Sequence, residues 1–345
     1  MITGESNSIN ILPKIDLHRH LEGSLRMSTL EELAAEGSID LPADKETLRS
    51  LGTLVSADPR TPQSLLRKFQ ALRCVYASPE LIQRYVREAI ADAAADSIIH
   101  LEMRFSPMAL AGERHFAAGD VIKWVLEAAD KAAVQESIGV KLIASVNRHE
   151  PVETAEKIAQ VVVDSMSERL VGFDLAGDEE SVNADAFVPL FRDVQSSGMK
   201  ITVHAGEWSG ADAVRQALEV FQADRIGHGV RIVESEETVA LARDRAVPFE
   251  VCPFSNIASG VTDRWQDHPI REMVMAGLLV TINTDNPGIL DNTLSDEITR
   301  LTAETDISLG TIKSFMLNAA NASFLLPSGK KALEEKLLSA YQLGL

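Results

Sequence analysis

Four residues stand out by type and spacing as a metal-binding set: His18, His20, His204 and Asp285. His18 and His20 are two apart, so in an extended strand both side chains point the same way. Three neutral imidazoles and one carboxylate suit Zn2+, which takes nitrogen and oxygen donors. Glu207 follows closely on His204, and His228 closes a later apolar run; both are free to move protons. A His-x-His pair alone is weak evidence. Joined to later residues that also end apolar runs, it becomes specific. His100, His115, His149 and His268 lack that context and are expected to be hydrogen-bonded structural residues.

These residues need elements that bring them together. Eight short apolar runs read as strands: Lys14–His20, Ile98–Ser106, Val140–Asn147, Leu170–Ala176, Lys200–His204, Arg225–His228, Pro248–Cys252 and Leu279–Thr284. Several are nearly continuous in apolar residues, as strands buried on both faces are. Helical patterns separate them at Ser78–Ala95, Ala118–Ile138, Pro151–Arg169, Ala184–Ser197, Gly210–Phe221 and Ser235–Arg245. Strand–helix alternation of this kind predicts an α/β fold, a (β/α)8 TIM barrel, whose active site lies where strands end and loops begin. The motif residues sit at such ends: Asp16–His20, His204–Glu207, Gly227–Gly229 and Asn283–Pro287.

The first gap is too long for one helix. Residues 25–78, with helical patterns at Ser28–Glu36, Asp44–Leu51 and Pro62–Val75, read as a helical insertion that covers the barrel mouth as a lid. Within it Phe69, Leu72 and Tyr76 face either a ligand or, as core packing favours, the interior. Leu294–Glu304, Ser308–Asn318 and Lys330–Ala340 read as extra C-terminal helices. The whole chain, 1–345, reads as a single domain.

Composition narrows the function. The chain has 345 residues, 33 Lys+Arg and 51 Asp+Glu, for a formal charge of −18. Clustered basic residues are what phosphate backbones and anionic membranes attract, so neither nucleic acid nor membrane is an expected partner. No apolar stretch approaches the roughly 20 residues of a membrane span. Met1–Pro13 has no basic region followed by an apolar run, so no secretory leader is expected there. Cys74 and Cys252 are far apart and form no Cys-x-x-Cys pair, which fits a reduced, cytoplasmic setting.

The motifs together resemble those of the adenosine deaminase family of metal-dependent hydrolases. They run Pro13-Lys14-Ile15-Asp16-Leu17-His18-Arg19-His20-Leu21-Glu22-Gly23-Ser24, then Asp174 to Glu179, His204 to Glu207, Arg225 to Gly229, Cys252 to Asn256 and Asn283-Thr284-Asp285. That resemblance implies one Zn2+ per chain on His18, His20, His204 and Asp285. It makes Glu207 the proton shuttle, gives His228 and Asp285 the reacting water, and sets His20, Glu22, Gly177 and Asn286 at the substrate. The family's two-metal relatives carry a Lys at the end of strand four. This chain has none there, which favours a single metal. Asp174 reads as a residue behind the ligands, Cys252 to Asn256 as a loop-shaping segment, and Glu179-Glu180 as a solvated loop.

Two departures bear on substrate. Glu22 stands where adenosine deaminases commonly carry Asp, and its His-Leu-Glu-Gly context resembles the adenine deaminase branch. Asn286 stands where Asp is usual; its amide still donates to a purine N7, without an acid. The expected reaction is hydrolytic deamination of adenosine and 2′-deoxyadenosine to inosine and ammonia, in purine salvage. The alternative is another 6-aminopurine, either adenine or a modified nucleoside such as aminodeoxyfutalosine. A non-catalytic purine-binding protein on the same fold is disfavoured by the intact residue set. The expected partner is a small purine nucleoside or base; whether the chain forms a homo-oligomer stays open.

Overall fold

The computed structural model describes residues 9–343. The expectation about Met1–Pro13 falls mostly outside them. Eight parallel strands form one sheet in sequence order: β1 Lys14–His20, β2 Ile98–Phe105, β3 Gly139–Asn147, β4 Leu170–Ala176, β5 Lys200–Ala205, β6 Arg225–His228, β7 Pro248–Val251 and β8 Leu279–Ile282. Every expected strand is present, with ends shifted by a residue or two. Their interiors are almost wholly buried, as the continuous apolar runs require.

The sheet closes on itself just past β8. Asp285 N–H donates to His18 O and His20 N–H donates to Asp285 O, both at 2.8 Å, and Arg19 pairs with Asp285 in parallel register. Below that point Asn283 substitutes for a ladder partner. Its Oδ1 accepts from Leu17 N–H at 2.9 Å, and its Nδ2 donates to Thr281 Oγ1 at 3.0 Å. The helix Leu309–Ala322 packs across β1 and β8 and covers the seam.

The helices between strands are shorter than their patterns suggest. Ala118–Gln135 and Val152–Asp164 stop early because a turn must lead into the next strand. Ser97, Ser137, Gln222 and Ala246 take positive φ in such turns before β2, β3, β6 and β7. The pattern at Ala184–Ser197 opens as a 3-10 turn at Asp185–Phe187 before the helix Val188–Ser196. One barrel helix, Ile270–Met275 between β7 and β8, is too short to show a period in the sequence. Short helices also follow β2, β7 and β8, at Pro107–Ala111, Pro253–Ala258 and Pro287–Leu290, each with Pro in its first turn.

Residues between β1 and β2 form the helices Met27–Ala35, Lys45–Gly52 and Pro62–Ala71, then Pro79–Ala95 against the barrel. Side-chain caps start three of them, at Asp44, Thr61 and Ser78. Among the described residues no helix is long and apolar enough to cross a membrane.

The seam makes a stability prediction. Asn283→Ala leaves the buried Leu17 N–H unpaired and should lower the unfolding free energy by about 1–3 kcal/mol in urea titrations. No measurable loss would show that Asn283 does not close the barrel.

Candidate active site

A cavity of about 300 Å³ opens at the carboxyl ends of the strands, near the small end of ordinary ligand pockets. Its wall takes residues from the ends of seven strands and their loops: His20, Ser106, Asn147, Gly177, His204, His228 and Asp285. Leu65, Leu66, Phe69 and Tyr76, from the insertion, form the outer wall. Phe69 and Tyr76 thus face the cavity, whereas Leu72 is buried in the core.

At the cavity floor His18, His20, His204 and Asp285 come together. His20 Nε2 lies 3.2 Å from His204 Nε2, and Asp285 Oδ1 lies 3.4 Å from both His18 Nε2 and His20 Nε2. The ring nitrogens of His18, His20 and His204 converge within 4.8 Å of one another. His18 Nε2 is buried with no hydrogen-bond partner. A buried bare nitrogen is costly unless something takes its lone pair. With donors this close together, a tetrahedral cation is the group that fits.

The far side of each ring is held by a carboxylate. His18 Nδ1 lies 2.8 Å from Glu250 Oε2, and His204 Nδ1 lies 3.2 Å from Asp174. A carboxylate there accepts the Nδ1 proton and leaves Nε2 free to face the cavity. Arg104 ties the two acids together, with Nη2 at 2.6 Å from Glu250 and Nη1 at 3.3 Å from Asp174. Arg225 Nε donates to Glu250 Oε1 at 2.5 Å. Burial alone would raise both carboxyls, but Arg104 and Arg225 hold Glu250, and His204 and Arg104 hold Asp174, well below the usual range.

Glu207 and Asp285 are pushed apart. Burial, followed by the charges of Asp285 and Glu179, raises Glu207 well above an ordinary carboxyl. Asp285 is also buried, but His18, whose Nε2 lies 3.4 Å from its Oδ1, and the adjoining imidazoles hold it well below. The two neighbouring acids are thus driven in opposite directions, which suits one to give a proton and the other to take one. Burial likewise lowers His228, keeping it neutral; its Nε2 is 3.5 Å from Glu207 Oε2. His228 and Asp285 both adopt left-handed backbone, with φ of 57° and 62°. Side chains seldom tolerate that conformation except where surrounding bonds enforce it.

Glu179 corrects the sequence reading. Glu180 is exposed, but Glu179 is buried, and its carboxylate accepts from the backbone N–H of Gly206, of Glu207 at 3.1 Å and of Trp208 at 3.0 Å. It is the anchor of the loop that carries Glu207. The spacing of Asp178-Glu179-Glu180 did not distinguish the buried Glu179 from its exposed neighbour. Arg104, Glu250 and Asn256 were also missed as site residues. A charged residue inside an apolar run was the one signal for Arg104 and Glu250.

Glu22 accepts from Ser106 N–H at 2.6 Å, and burial pushes its pKa up to about 7. Gly177, at φ 92°, has no room for a side chain; an added Cβ would stand 3.0 Å from Arg148 N. Asn286 packs Oδ1 against Gly23, where an added Cβ would collide with it, and also lines the cavity. His100 bonds Glu102 and is structural, as expected, while His149 lines the cavity.

Residues 13–340 match the adenosine deaminase family profile. The chain belongs to the adenosine deaminase family. It is 32% identical to an adenosine deaminase of Enterococcus faecalis, over 98% of this chain and 99% of that one. It is also 32% identical to one of Clostridium botulinum, over 94% and 96%. A crystal structure of adenine deaminase from Arthrobacter aurescens superimposes with a TM-score of 0.88 at 25% identity, covering 96% of this chain and 99% of that one. Membership and site chemistry together make this family member a hydrolytic deaminase.

The lattice of buried charge behind the rings predicts the cost of breaking it. Arg104→Met leaves Glu250 and Asp174 without their shared cation and should cost about 3–5 kcal/mol of stability. Thermal unfolding at matched metal content reads the loss; an unchanged midpoint would refute it.

Proposed function

We propose that the chain is a zinc-dependent deaminase of adenosine and 2′-deoxyadenosine, yielding inosine or 2′-deoxyinosine and ammonia. His18, His20 and His204, through Nε2, and Asp285, through its carboxylate, would hold one Zn2+. The bare, buried His18 Nε2 supports that assignment. When bound, zinc is a Lewis acid that draws the pKa of water toward neutrality.

The chain's own groups account for the rest. The purine lies with its edges against Gly177 and Asn286, and Asn286 donates to N7. His228 and Asp285 orient the water over C6. As the water oxygen bonds to C6, Asp285 accepts the water proton and Glu207, protonated beforehand by its burial, gives its proton to N1. The Asp285 proton then passes to the amino group. The C6–N bond breaks, ammonia leaves, the C6 hydroxyl gives its proton back to Glu207, and the 6-oxopurine keeps the proton at N1.

One observation carries the choice of a nucleoside. The cavity continues outward from the histidines to Glu22, Gln70, Arg73, Asn147 and His149. That is more polar wall than a bare base needs, and it suits sugar hydroxyls. Adenine is the second reading, because Glu22, one methylene longer than Asp and held on Ser106 N–H, reaches further into the cavity it lines and leaves less room beside a base.

Ammonia release from adenosine, 2′-deoxyadenosine, adenine and 5′- or N6-modified nucleosides decides between them. Adenosine should lead in kcat/KM, and adenine far ahead would overturn the reading. Chelation should abolish turnover and added Zn2+ should restore it. Glu207→Gln should retain zinc, measured by metal analysis, while kcat falls by about 10²–10⁴-fold. Substantial turnover in that variant would remove Glu207 from the mechanism.

A further inference from the structure

Behind the working face of His228 runs a buried hydrogen-bond chain with a fixed direction. It begins at Ile270 N–H, 3.1 Å from His268 Nδ1. A backbone N–H can only donate, so His268 Nδ1 is the acceptor and the ring proton sits on Nε2. Burial pushes the His268 pKa down to about 3, so the ring stays neutral and keeps that single proton. His268 Nε2 lies 3.2 Å from Asn256 Oδ1, which accepts it.

The orientation of the Asn256 carboxamide follows. With Oδ1 turned to His268, its Nδ2 faces His228 Nδ1 at 3.2 Å and Glu207 Oε1 at 3.5 Å. An amide nitrogen only donates. His228 Nδ1 therefore accepts, and the His228 proton is on Nε2, which lies 3.5 Å from Glu207 Oε2 and 4.0 Å from Asp285 Oδ2. A flipped carboxamide would set its NH2 against the His268 Nε2–H, two donors face to face, so His268 decides the matter.

We propose that His268, which does not line the cavity, is a positioning residue that acts through Asn256 to fix the Nε2–H tautomer of His228 and to hold Glu207 in place. The consequence for catalysis rests on the deaminase reading above. In this tautomer His228 offers a donor to the oxygen that bonds to C6. The other tautomer would offer a bare lone pair and repel it. The backbone supports the arrangement. Asn256 sits in the short helix Pro253–Ala258 after β7, and His268 stands two residues before Ile270, whose helix begins the return to β8.

The test is the tautomer itself. Long-range 1H–15N correlation spectra of the zinc-loaded enzyme, labelled at histidine, should show the proton of His228 on Nε2. His268→Gln keeps a donor for Asn256 and an acceptor for Ile270 N–H, and should preserve both that signature and most of kcat. His268→Leu should shift His228 toward the Nδ1–H form and lower kcat about 10–100-fold with KM little changed. A native His228 protonated on Nδ1, or a His268→Leu enzyme with the native signature and native kcat, would overturn the proposal. The spectrum of the native enzyme needs no substrate. Nε2–H with no ammonia released from any purine would support this inference and refute the deaminase reading.

Discussion

The site depends on keeping bare imidazole nitrogens pointed at one spot inside a buried barrel. Imidazole has two nitrogens and one proton, so the direction of Nε2 is decided by what holds Nδ1. Glu250 and Asp174 do this for His18 and His204, and Arg104 makes it affordable by neutralising both acids in the interior. A buried charge left alone is expensive, whereas a buried lattice with every member bonded is rigid. Arg225 and Glu102 extend that lattice toward the other end of the barrel. The apolar core around it supplies the low dielectric that makes its geometry strict.

Barrel closure and ligand placement are the same event. The last backbone pairing between the eighth and first strands joins Asp285 to His18 and His20. Three of the four residues that would hold a metal are therefore fixed by main-chain bonds as well as by side-chain packing. The strained backbone at His228 and Asp285 belongs to the same economy of position. Both side chains line the cavity. The neighbouring hydrogen bonds hold them there.

Much of the architecture was legible because the barrel repeats one physical rule. Strands buried on both faces must be apolar throughout, so eight such runs announced themselves, and polar residues at their ends had to face the mouth. Glu22, Gly177, His204, Glu207, His228, Asp285 and Asn286 all line the cavity for that reason. The helix Ile270–Met275 was not legible, since six residues cannot show a helical period. Glu179 was not legible either. Its carboxylate serves a loop far along the chain, and nothing in the spacing of an acidic loop distinguishes a buried anchor from a solvated side chain.

By itself the sequence determined which residue types are available for a metal and for proton transfer, and that they stand at strand ends in barrel order. Those are local matters of type, period and polarity. The tertiary structure decided the protonation of each group, because that depends on neighbours distant in the chain. Burial and the charges of Asp285 and Glu179 push Glu207 up, while His18 and the adjoining imidazoles pull Asp285 down. The direction of the bonds around Asn256 was settled the same way, by a backbone N–H at Ile270. A proton's place is set by the field of everything around it, and only the folded chain assembles that field.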